Sequence, residues 1–162
     1  MTSTAEVRAV LAAVTDPEIP VITIEDLGIL RGVEVDGGSI TVTITPTYSG
    51  CPAMQEIRAD IDAALAAHGW YDVTVRTVLA PAWTTDWMTE TGRARLREHG
   101  IAPPTRTAGG PIPVALGRRP VIDCPNCGAT DTEELTRFSS TSCKALWRCR
   151  VCREPFDWFK DH

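Results

Sequence analysis

Apolar and polar residues alternate along residues 39–45, where isoleucine and valine are separated by threonine. A period of two predicts a β-strand with one buried face. A second strand is predicted over residues 29–36, and the pair Gly37–Gly38 between the two segments is typical of a hairpin turn. We therefore expect the first sheet to begin as an antiparallel hairpin.

Two further segments have the period of a helix. Apolar residues recur at helical spacing over residues 3–14, where Ser3 or Thr4 can cap the helix, and again from about residue 53 to residue 68. A third strand is predicted over residues 71–79. The order helix, strand, strand, helix, strand predicts a compact α+β domain with a small three-stranded mixed sheet and a crossover between its last two strands.

The amino-acid composition changes over residues 101–120, which are rich in proline and glycine. Apolar residues in this segment recur with neither the period of a helix nor that of a strand. This composition is typical of a linker. We therefore expect three parts: an α+β domain over residues 1–100, a linker over residues 101–120 and a second unit over residues 121–162.

The second unit contains two C-x2-C pairs, Cys124 with Cys127 and Cys149 with Cys152, separated by 21 residues. Each pair can form a tight knuckle that directs two sulfurs to one point, and four thiolates satisfy a tetrahedral Zn²⁺ ion. About forty residues are too few to fold unaided, so we expect structural zinc to hold a small β zinc ribbon together. A rubredoxin-like iron uses the same ligands and stays an alternative, as do two disulfides, which are unusual in cytosol. The side chains expected to form the ribbon core are Leu135, Phe138, Leu146, Trp147, Phe156 and Trp158.

The totals describe an ordinary globular protein, with 43% hydrophobic residues, 23% charged residues and a net charge of −5. Acidic residues outnumber basic residues in the ribbon as well, which argues against a surface that binds nucleic acid or a membrane. We therefore interpret the ribbon as a structural or protein-contact module. No apolar run approaches the length of a transmembrane helix, and the first residues lack the features of a secretory signal. We expect a cytoplasmic protein, in which six cysteines favour metal or redox chemistry over disulfides.

Cys51 lies where the strand predicted over residues 39–45 passes through a loop into the helix predicted over residues 53–68. Pro52 suits the first helical turn, because its missing N–H costs nothing there. A thiol at this position faces unsatisfied backbone N–H groups and the positive end of a helix dipole, which favours the thiolate. The alternative is that a small, semi-buried cysteine merely fills the helix cap.

Two carboxylates, Asp16 and Glu18, flank Pro17 in a predicted loop. They can act as a pair beside a metal or in acid–base chemistry. From spacing alone, the favoured interpretation is a solvated turn in which Asp16 forms a local cap.

The sixth cysteine, Cys143, lies outside the two knuckles and is a candidate secondary thiol. Its neighbour Lys144 can lower the pKa of the thiol. A packed, inert thiol is equally compatible with the sequence.

Three motifs carry a resemblance to a known family: Asp-Pro-Glu-Ile-Pro at 16–20, Asp-Leu-Gly-Ile at 26–29, and Thr-Pro-Thr-Tyr-Ser-Gly-Cys-Pro at 45–52. With them, the first hundred residues resemble the MIP18 (DUF59) family, found in iron–sulfur cluster assembly factors. Together with the ribbon and the stretch at 140–145, the whole chain resembles the PaaD (also PaaJ) family of accessory proteins from the phenylacetyl-CoA epoxidase gene set.

The resemblance implies aerobic phenylacetate degradation and partnership with an oxygenase that holds a di-iron site and with a reductase that holds an iron–sulfur cluster. It maps the family's functional cysteine to Cys51, with Thr47 in the same motif, and its acidic motif to Asp16 and Glu18. The expected function is that of a maturation factor that assists delivery of iron or a cluster to the oxygenase or its reductase. Because one cysteine cannot hold a cluster alone, a transient site would be completed across a homodimer, by a partner protein or by glutathione.

Two other functions stay open. The first is a non-catalytic structural subunit of the oxygenase complex, in which Cys51 is incidental and the ribbon is a docking surface. The second is a nucleic-acid-binding ribbon protein, which the acidic balance disfavours. The sequence contains no nucleophile and base at a recognisable spacing, no phosphate loop and no dinucleotide fingerprint, so we expect an accessory protein rather than an enzyme.

Overall fold

The computed structural model describes residues 2–105 and 120–161, which divide into two compact units between Gly92 and Arg93. The helices are α1 (Thr4–Leu11), α2 (Ala53–Ala66) and α3 (Glu90–Glu98), and a 3₁₀ turn, Thr85–Trp87, precedes α3. The strands are β1 (Leu30–Asp36), β2 (Ser39–Ile44), β3 (Val73–Thr77), β4 (Ile101–Ala102), β5 (Thr132–Thr136), β6 (Lys144–Cys149) and β7 (Pro155–Phe159).

The first unit contains the predicted three-stranded mixed sheet, in the order β1-β2-β3. β1 pairs antiparallel with β2, and β2 pairs parallel with β3. The predicted order of helix, strand, strand, helix and strand is thus confirmed. Because side chains alternate along a strand, Ile40, Val42 and Ile44 share one face of β2, where each is at most 1% exposed.

Helices α1 and α2 pack on each other and on the sheet. Ser3 caps α1 through a capping box, in which Ser3 Oγ accepts from the Glu6 N–H at 3.3 Å and Glu6 Oε2 accepts from the Ser3 N–H at 2.8 Å. The helix ends at Leu11, earlier than predicted, because the following backbone pairs elsewhere: the Ile24 N–H donates to Val14 O at 3.0 Å. The fully buried hydrophobic residues of α1 and α2 are Val7, Leu11, Ile57, Ile61 and Leu65.

The second unit contains a four-stranded sheet in the order β4-β7-β6-β5. Its hairpins are antiparallel, whereas the short β4 pairs parallel with β7 through Ile101 and Ala102. The prediction of a linker is therefore wrong for Ile101 and Ala102. A strand of two residues is too short to show an alternation of apolar and polar residues in the sequence. Most of the predicted linker, residues 106–119, lies outside the described residues.

The ribbon core is formed around Trp147 and Trp158, whose rings meet edge to face with centroids 5.9 Å apart. Two predicted core residues are instead exposed, Leu135 by 44% and Phe138 by 64%. The prediction is wrong for them because β5 is an outer strand on which Glu134, not Leu135, is paired with Trp147, and because Phe138 lies beyond the strand. Among the described residues, none of the helices combines the length and the apolar character needed to cross a bilayer.

Candidate functional site

The four ribbon cysteines form a compact cluster of sulfurs. All four Sγ atoms lie within 4.8 Å of one another, with 3.7 Å between Cys124 and Cys152 and 3.6 Å between Cys127 and Cys149. A tetrahedron built from Zn–S bonds of about 2.3 Å has edges of about 3.8 Å, whereas a disulfide bond is about 2.05 Å long. The spacing therefore fits four thiolates around one metal ion and contradicts the disulfide alternative.

Each C-x2-C pair lies in a tight turn that ends in a left-handed residue. Gly128, which follows Cys127, has a φ of 73°, and Arg153, which follows Cys152, has a φ of 66°. The Gly128 N–H donates to Cys124 O at 2.9 Å and closes the first turn. Because glycine adopts this conformation without steric cost, the sequence signals the first turn more clearly than the second.

Backbone N–H groups also reach the sulfurs of the second knuckle. The Cys152 N–H donates to Cys149 Sγ at 3.4 Å. This bond, with a second from the Val151 N–H, lowers the pKa of Cys149 to about 7. Because the thiolate is the form of cysteine that binds metal, the lowered pKa favours Cys149 as a charged ligand. In the same knuckle, burial and hydrogen bonds with the neighbouring thiols raise the pKa of Cys152 to about 12, so the two cysteines are not equivalent.

Cys51 ends a tight turn between β2 and α2. The Cys51 N–H donates to Tyr48 O at 3.2 Å, and Gly50 has a φ of 90°, which explains the glycine before the cysteine. Pro52 occupies the N-cap of α2, and the Met54 N–H donates to Cys51 O at 3.3 Å. The predicted strand-to-helix junction is confirmed, and the Cys51 side chain is half-buried there.

The environment of Cys51 does not favour the thiolate. Burial raises the pKa of the Cys51 thiol, and the carboxylates of Glu18 and Asp16 shift it in the same direction. Hydrogen bonds from the Ala53 N–H and the Thr47 side chain oppose this shift without outweighing it. The prediction of a favoured thiolate is therefore wrong, because it counted the N–H groups at the helix N-terminus and omitted burial and the neighbouring carboxylates.

The loop that carries Asp16 and Glu18 is held by its own hydrogen bonds. Asp16 is buried, and its Oδ1 accepts from the Glu18 N–H at 2.9 Å and from the Ile19 N–H at 2.8 Å. The Asp16 N–H donates to Ile22 O at 2.9 Å and closes the loop. Asp16 thus caps the loop locally, as one interpretation predicted, although its side chain is not solvated, and the loop holds Glu18 close to Cys51.

The motif at 26–29 has a structural role that the sequence did not reveal. Gly28 has a φ of 75°, and a Cβ at this position would lie 2.7 Å from both the Cβ and the carbonyl oxygen of Trp87. Thr89 donates to Asp26 twice, through its N–H to the backbone oxygen at 2.9 Å and through its hydroxyl to Oδ1 at 2.7 Å. The motif therefore anchors the segment 87–89 within the first unit.

Cys143 is buried in the second unit, where its Sγ lies 3.1 Å from Thr141 Oγ1. The ammonium of Lys144, the predicted activator of this thiol, forms an ion pair with Asp157 Oδ2 at 3.0 Å. The structure thus gives Lys144 a carboxylate partner, and a role for Cys143 as a secondary thiol stays a prediction.

Comparison with known proteins matches both parts of the chain. Residues 4–77 match the family described as "Iron-sulfur cluster assembly protein", and residues 109–160 match the "PaaD zinc beta ribbon domain". A protein of Escherichia coli (strain K12), named as one subunit of a "Putative 1,2-phenylacetyl-CoA epoxidase", is 48% identical over 155 residues, which cover 96% of this chain and 91% of the relative. The chain belongs to the PaaD family. Membership of a family with a zinc beta ribbon favours zinc over a rubredoxin-like iron for the four cysteines.

A second relative matches a shorter part of the chain. A "Fe-S protein maturation auxiliary factor" from Porphyromonas gingivalis is 33% identical over 90 residues, which cover 52% of this chain and 82% of that protein. Both the family match to residues 4–77 and this relative connect the chain with proteins of iron–sulfur cluster assembly.

Solved structures match the fold of more than half of the chain. A DUF59 domain from Bacillus anthracis is 28% identical with a TM-score of 0.54, covering 57% of this chain and 90% of that one. A conserved hypothetical protein from Thermotoga maritima is 23% identical with a TM-score of 0.50, covering 59% of this chain and 94% of that one, and shows the fold alone. The predicted MIP18 (DUF59) fold is therefore confirmed.

Proposed function

We propose that this chain is a non-catalytic maturation factor of the phenylacetyl-CoA epoxidase system, which assists delivery of iron or an iron–sulfur cluster to the oxygenase or its reductase through Cys51. The observation that carries the proposal is the setting of Cys51, a half-buried thiol at a strand-to-helix turn beside the Glu18 carboxylate. The relative named as an epoxidase subunit and the relative named as an Fe-S maturation factor support it. The proposed setting is aerobic phenylacetate degradation in the cytoplasm.

The cargo site would use two kinds of ligand. A cysteine sulfur is a soft ligand that suits iron and iron–sulfur clusters, and a carboxylate adds a hard, charged oxygen. Cys51 and Glu18 supply these groups, the Thr47 side chain hydrogen-bonds to the sulfur, and Asp16 holds the loop that carries Glu18. Iron or a cluster is thus the cargo of this site, and the carrier itself performs no redox step.

The cargo site is incomplete within the described residues. Among the described residues, the ribbon cysteines form a group of at least three possible metal ligands, and Cys51, Asp16 and Glu18 do not form another. Cys51 and Glu18 would therefore supply part of a coordination sphere, and a partner protein, a second copy or glutathione would supply the rest. A partial site suits a carrier, because the recipient can take over the cargo without dismantling a closed cage.

The ribbon would have a separate, structural role. Its four cysteines would hold Zn²⁺, whose binding energy folds a unit that is too small to be stable on its own. The ribbon then offers a rigid protein-contact surface for the oxygenase components.

The proposal is tested by complementation of a strain that lacks this chain. The oxygenase and reductase are purified after expression with the wild-type chain, with Cys51→Ala or with Ser49→Ala, and their iron and acid-labile sulfide contents are measured. With Cys51→Ala we expect iron-poor components and slow growth on phenylacetate, although the variant retains its zinc. Ser49→Ala changes an exposed residue of the same turn and should behave as wild type. Fully loaded, active components with Cys51→Ala would contradict the proposal.

A second candidate is a structural subunit of the oxygenase complex. It is favoured by the name of the 48% identical relative, which describes a subunit. A subunit co-purifies with the oxygenase in a fixed ratio, and its removal abolishes turnover. A maturation factor is dispensable once the oxygenase has been assembled, so removal of the chain after assembly separates the two functions.

A further inference from the structure

We infer that the open edge of β3 pairs with the β3 edge of a second copy of this chain, in an antiparallel two-fold interface centred on Val75. Among the described residues, β3 is an outer strand of its sheet, with β2 on one side and no strand on the other. Open edges present unpaired N–H and C=O groups that readily accept another strand. The inference concerns this edge and does not rest on the proposed delivery of iron.

The β2–β3 hydrogen bonds show which backbone groups of β3 face the open side. Asp72 O accepts from the Ile40 N–H, and the Val78 N–H donates to Ile44 O, both at 2.9 Å. Because the bonding residues alternate along a strand, the even-numbered residues of this segment face β2. The N–H and C=O groups of the odd-numbered residues point to the open edge; these residues are Val73, Val75 and Thr77.

A side-chain contact agrees with this assignment. Arg58 Nη1 donates to Val75 O at 3.1 Å, and Arg58 Nη2 donates to Thr77 Oγ1 at 2.6 Å. The Val75 carbonyl therefore points to the open side, where Arg58 already uses one of its two lone pairs. A carbonyl oxygen has two lone pairs and can accept a second hydrogen bond. In the two-fold pairing, Val75 would bond to Val75 of the second copy, and Val73 would bond to Thr77 of the second copy.

The exposed side chains beside β3 are symmetric about Val75. Tyr71 is 81% exposed and Leu79 is 62% exposed, and they are the two large exposed hydrophobic residues among the described residues of the first unit. Each lies four positions from Val75 in the sequence. The proposed register therefore places Tyr71 opposite Leu79 of the second copy, and Leu79 opposite Tyr71 of the second copy. A shift by two residues in either direction would break both pairs.

The charges of the segment match the same register. Asp72 would lie opposite Val78 of the second copy and diagonal to Arg76 of the second copy, on the same face. Diagonal neighbours are about 7–8 Å apart, within reach of an arginine side chain. The two-fold axis creates this pair twice, and Arg76 lies directly opposite Thr74 of the second copy, so no like charges of the strand are directly opposite each other. Arg76 is also diagonal to Arg76 of the second copy, and the two attractive pairs outnumber this single repulsive pair. Charge complementarity thus favours a second copy as the occupant of the edge.

The first test is a charge exchange across the proposed interface, measured by sedimentation velocity of the full chain at increasing concentration. Tyr71→Glu and Leu79→Lys each place a charge opposite an apolar side chain and should weaken the dimer about tenfold or more. The double variant places the new carboxylate opposite the new ammonium and should restore the dimer. Leu135→Lys, at an exposed apolar residue of β5 outside both cysteine knuckles, is the matched control and should leave dimerisation unchanged.

The second test fixes the register by cross-linking. Residues that exchange hydrogen bonds across an antiparallel pair have Cα atoms about 5.5 Å apart, within the range of a disulfide. Oxidation of Val75→Cys should therefore give a dimer joined through residue 75, identified by mass spectrometry of the linked peptide. Thr74→Cys, whose two copies are offset in this register, should not cross-link.

Three results would overturn the inference. They are a chain that stays monomeric at every concentration, a dimer that is insensitive to both single charge variants, and a cross-link through residue 74 instead of residue 75. Circular dichroism of each variant establishes that its fold is retained, and the double variant guards against mistaking a folding defect for loss of the interface.

Discussion

Replacement of Gly28 by alanine tests how the motif at 26–29 stabilises the first unit. The backbone φ of +75° is left-handed, and alanine costs about 1–2 kcal/mol there. The added Cβ would also lie 2.7 Å from the Cβ and the oxygen of Trp87. Such overpacking typically costs about 1–3 kcal/mol more, so we expect the free energy of unfolding to fall by about 2–5 kcal/mol. This is a large share of the roughly 5–15 kcal/mol that stabilises a typical domain.

Gly69→Ala is the matched control for this prediction. Gly69 has a similar φ of +81°, but no heavy atom lies within 4 Å of the Cβ that alanine would add. Both replacements restrict the unfolded chain in the same way, so the difference between the two variants isolates the contact with Trp87. The measurement is urea unfolding of the full chain, followed by circular dichroism. The reasoning is refuted if Gly28→Ala costs no more than Gly69→Ala.

Three further predictions follow from the site. Because burial and the Glu18 carboxylate raise the pKa of Cys51, its alkylation at mildly alkaline pH should be slower than that of an exposed thiol. Glu18→Gln should accelerate this alkylation, whereas Glu34→Gln, at an exposed carboxylate, should leave the rate unchanged. The rates are measured by peptide mass spectrometry. Equal rates in the wild type and both variants would contradict the influence of Glu18 on the pKa of Cys51. Asp16→Ala removes the acceptor of two N–H groups and should destabilise the chain by about 2 kcal/mol, whereas Asp16→Asn keeps an oxygen acceptor and should cost less than about 1 kcal/mol. An equal decrease in the melting temperature of Asp16→Ala and Asp16→Asn would show that the charge of Asp16 stabilises the chain more than its hydrogen bonds do. Chelation of the ribbon metal should unfold the ribbon and red-shift the fluorescence of its buried tryptophans, and unchanged fluorescence after verified metal loss would show that the ribbon folds without the ion.

The features that the sequence predicted well are those that depend on neighbouring residues. The alternation over residues 39–45 became β2, and the Gly37–Gly38 pair became the turn between β1 and β2. The two C-x2-C knuckles are also local, because the backbone turn within each pair already directs both sulfurs to one side. The antiparallel meander of β5, β6 and β7 is then enough to bring the two knuckles together. The metal site could therefore be predicted from the spacing of the four cysteines in the sequence.

The features that the sequence did not predict depend on segments that are distant along the chain. The ionisation of Cys51 was predicted from its own helix N-terminus, yet it is governed by burial and by carboxylates on the loop after α1. Gly28 gave a recognisable motif, but its partner Trp87 lies on a segment that no periodicity connects with it. Local patterns thus locate a reactive side chain, whereas its electrostatic environment requires the tertiary structure.

The two cysteine sites differ in completeness, and this difference bears on their roles. The ribbon brings four sulfurs within 4.8 Å of one another, which is a closed coordination sphere for one ion. Around Cys51, the described residues do not form a group of three or more possible metal ligands. A closed site retains its metal and stabilises a fold, whereas an incomplete site holds metal firmly only while another molecule contributes ligands. If Cys51 binds cargo as proposed, loading and release would therefore be controlled by contact with the donor and the recipient, while the ribbon keeps its own metal throughout.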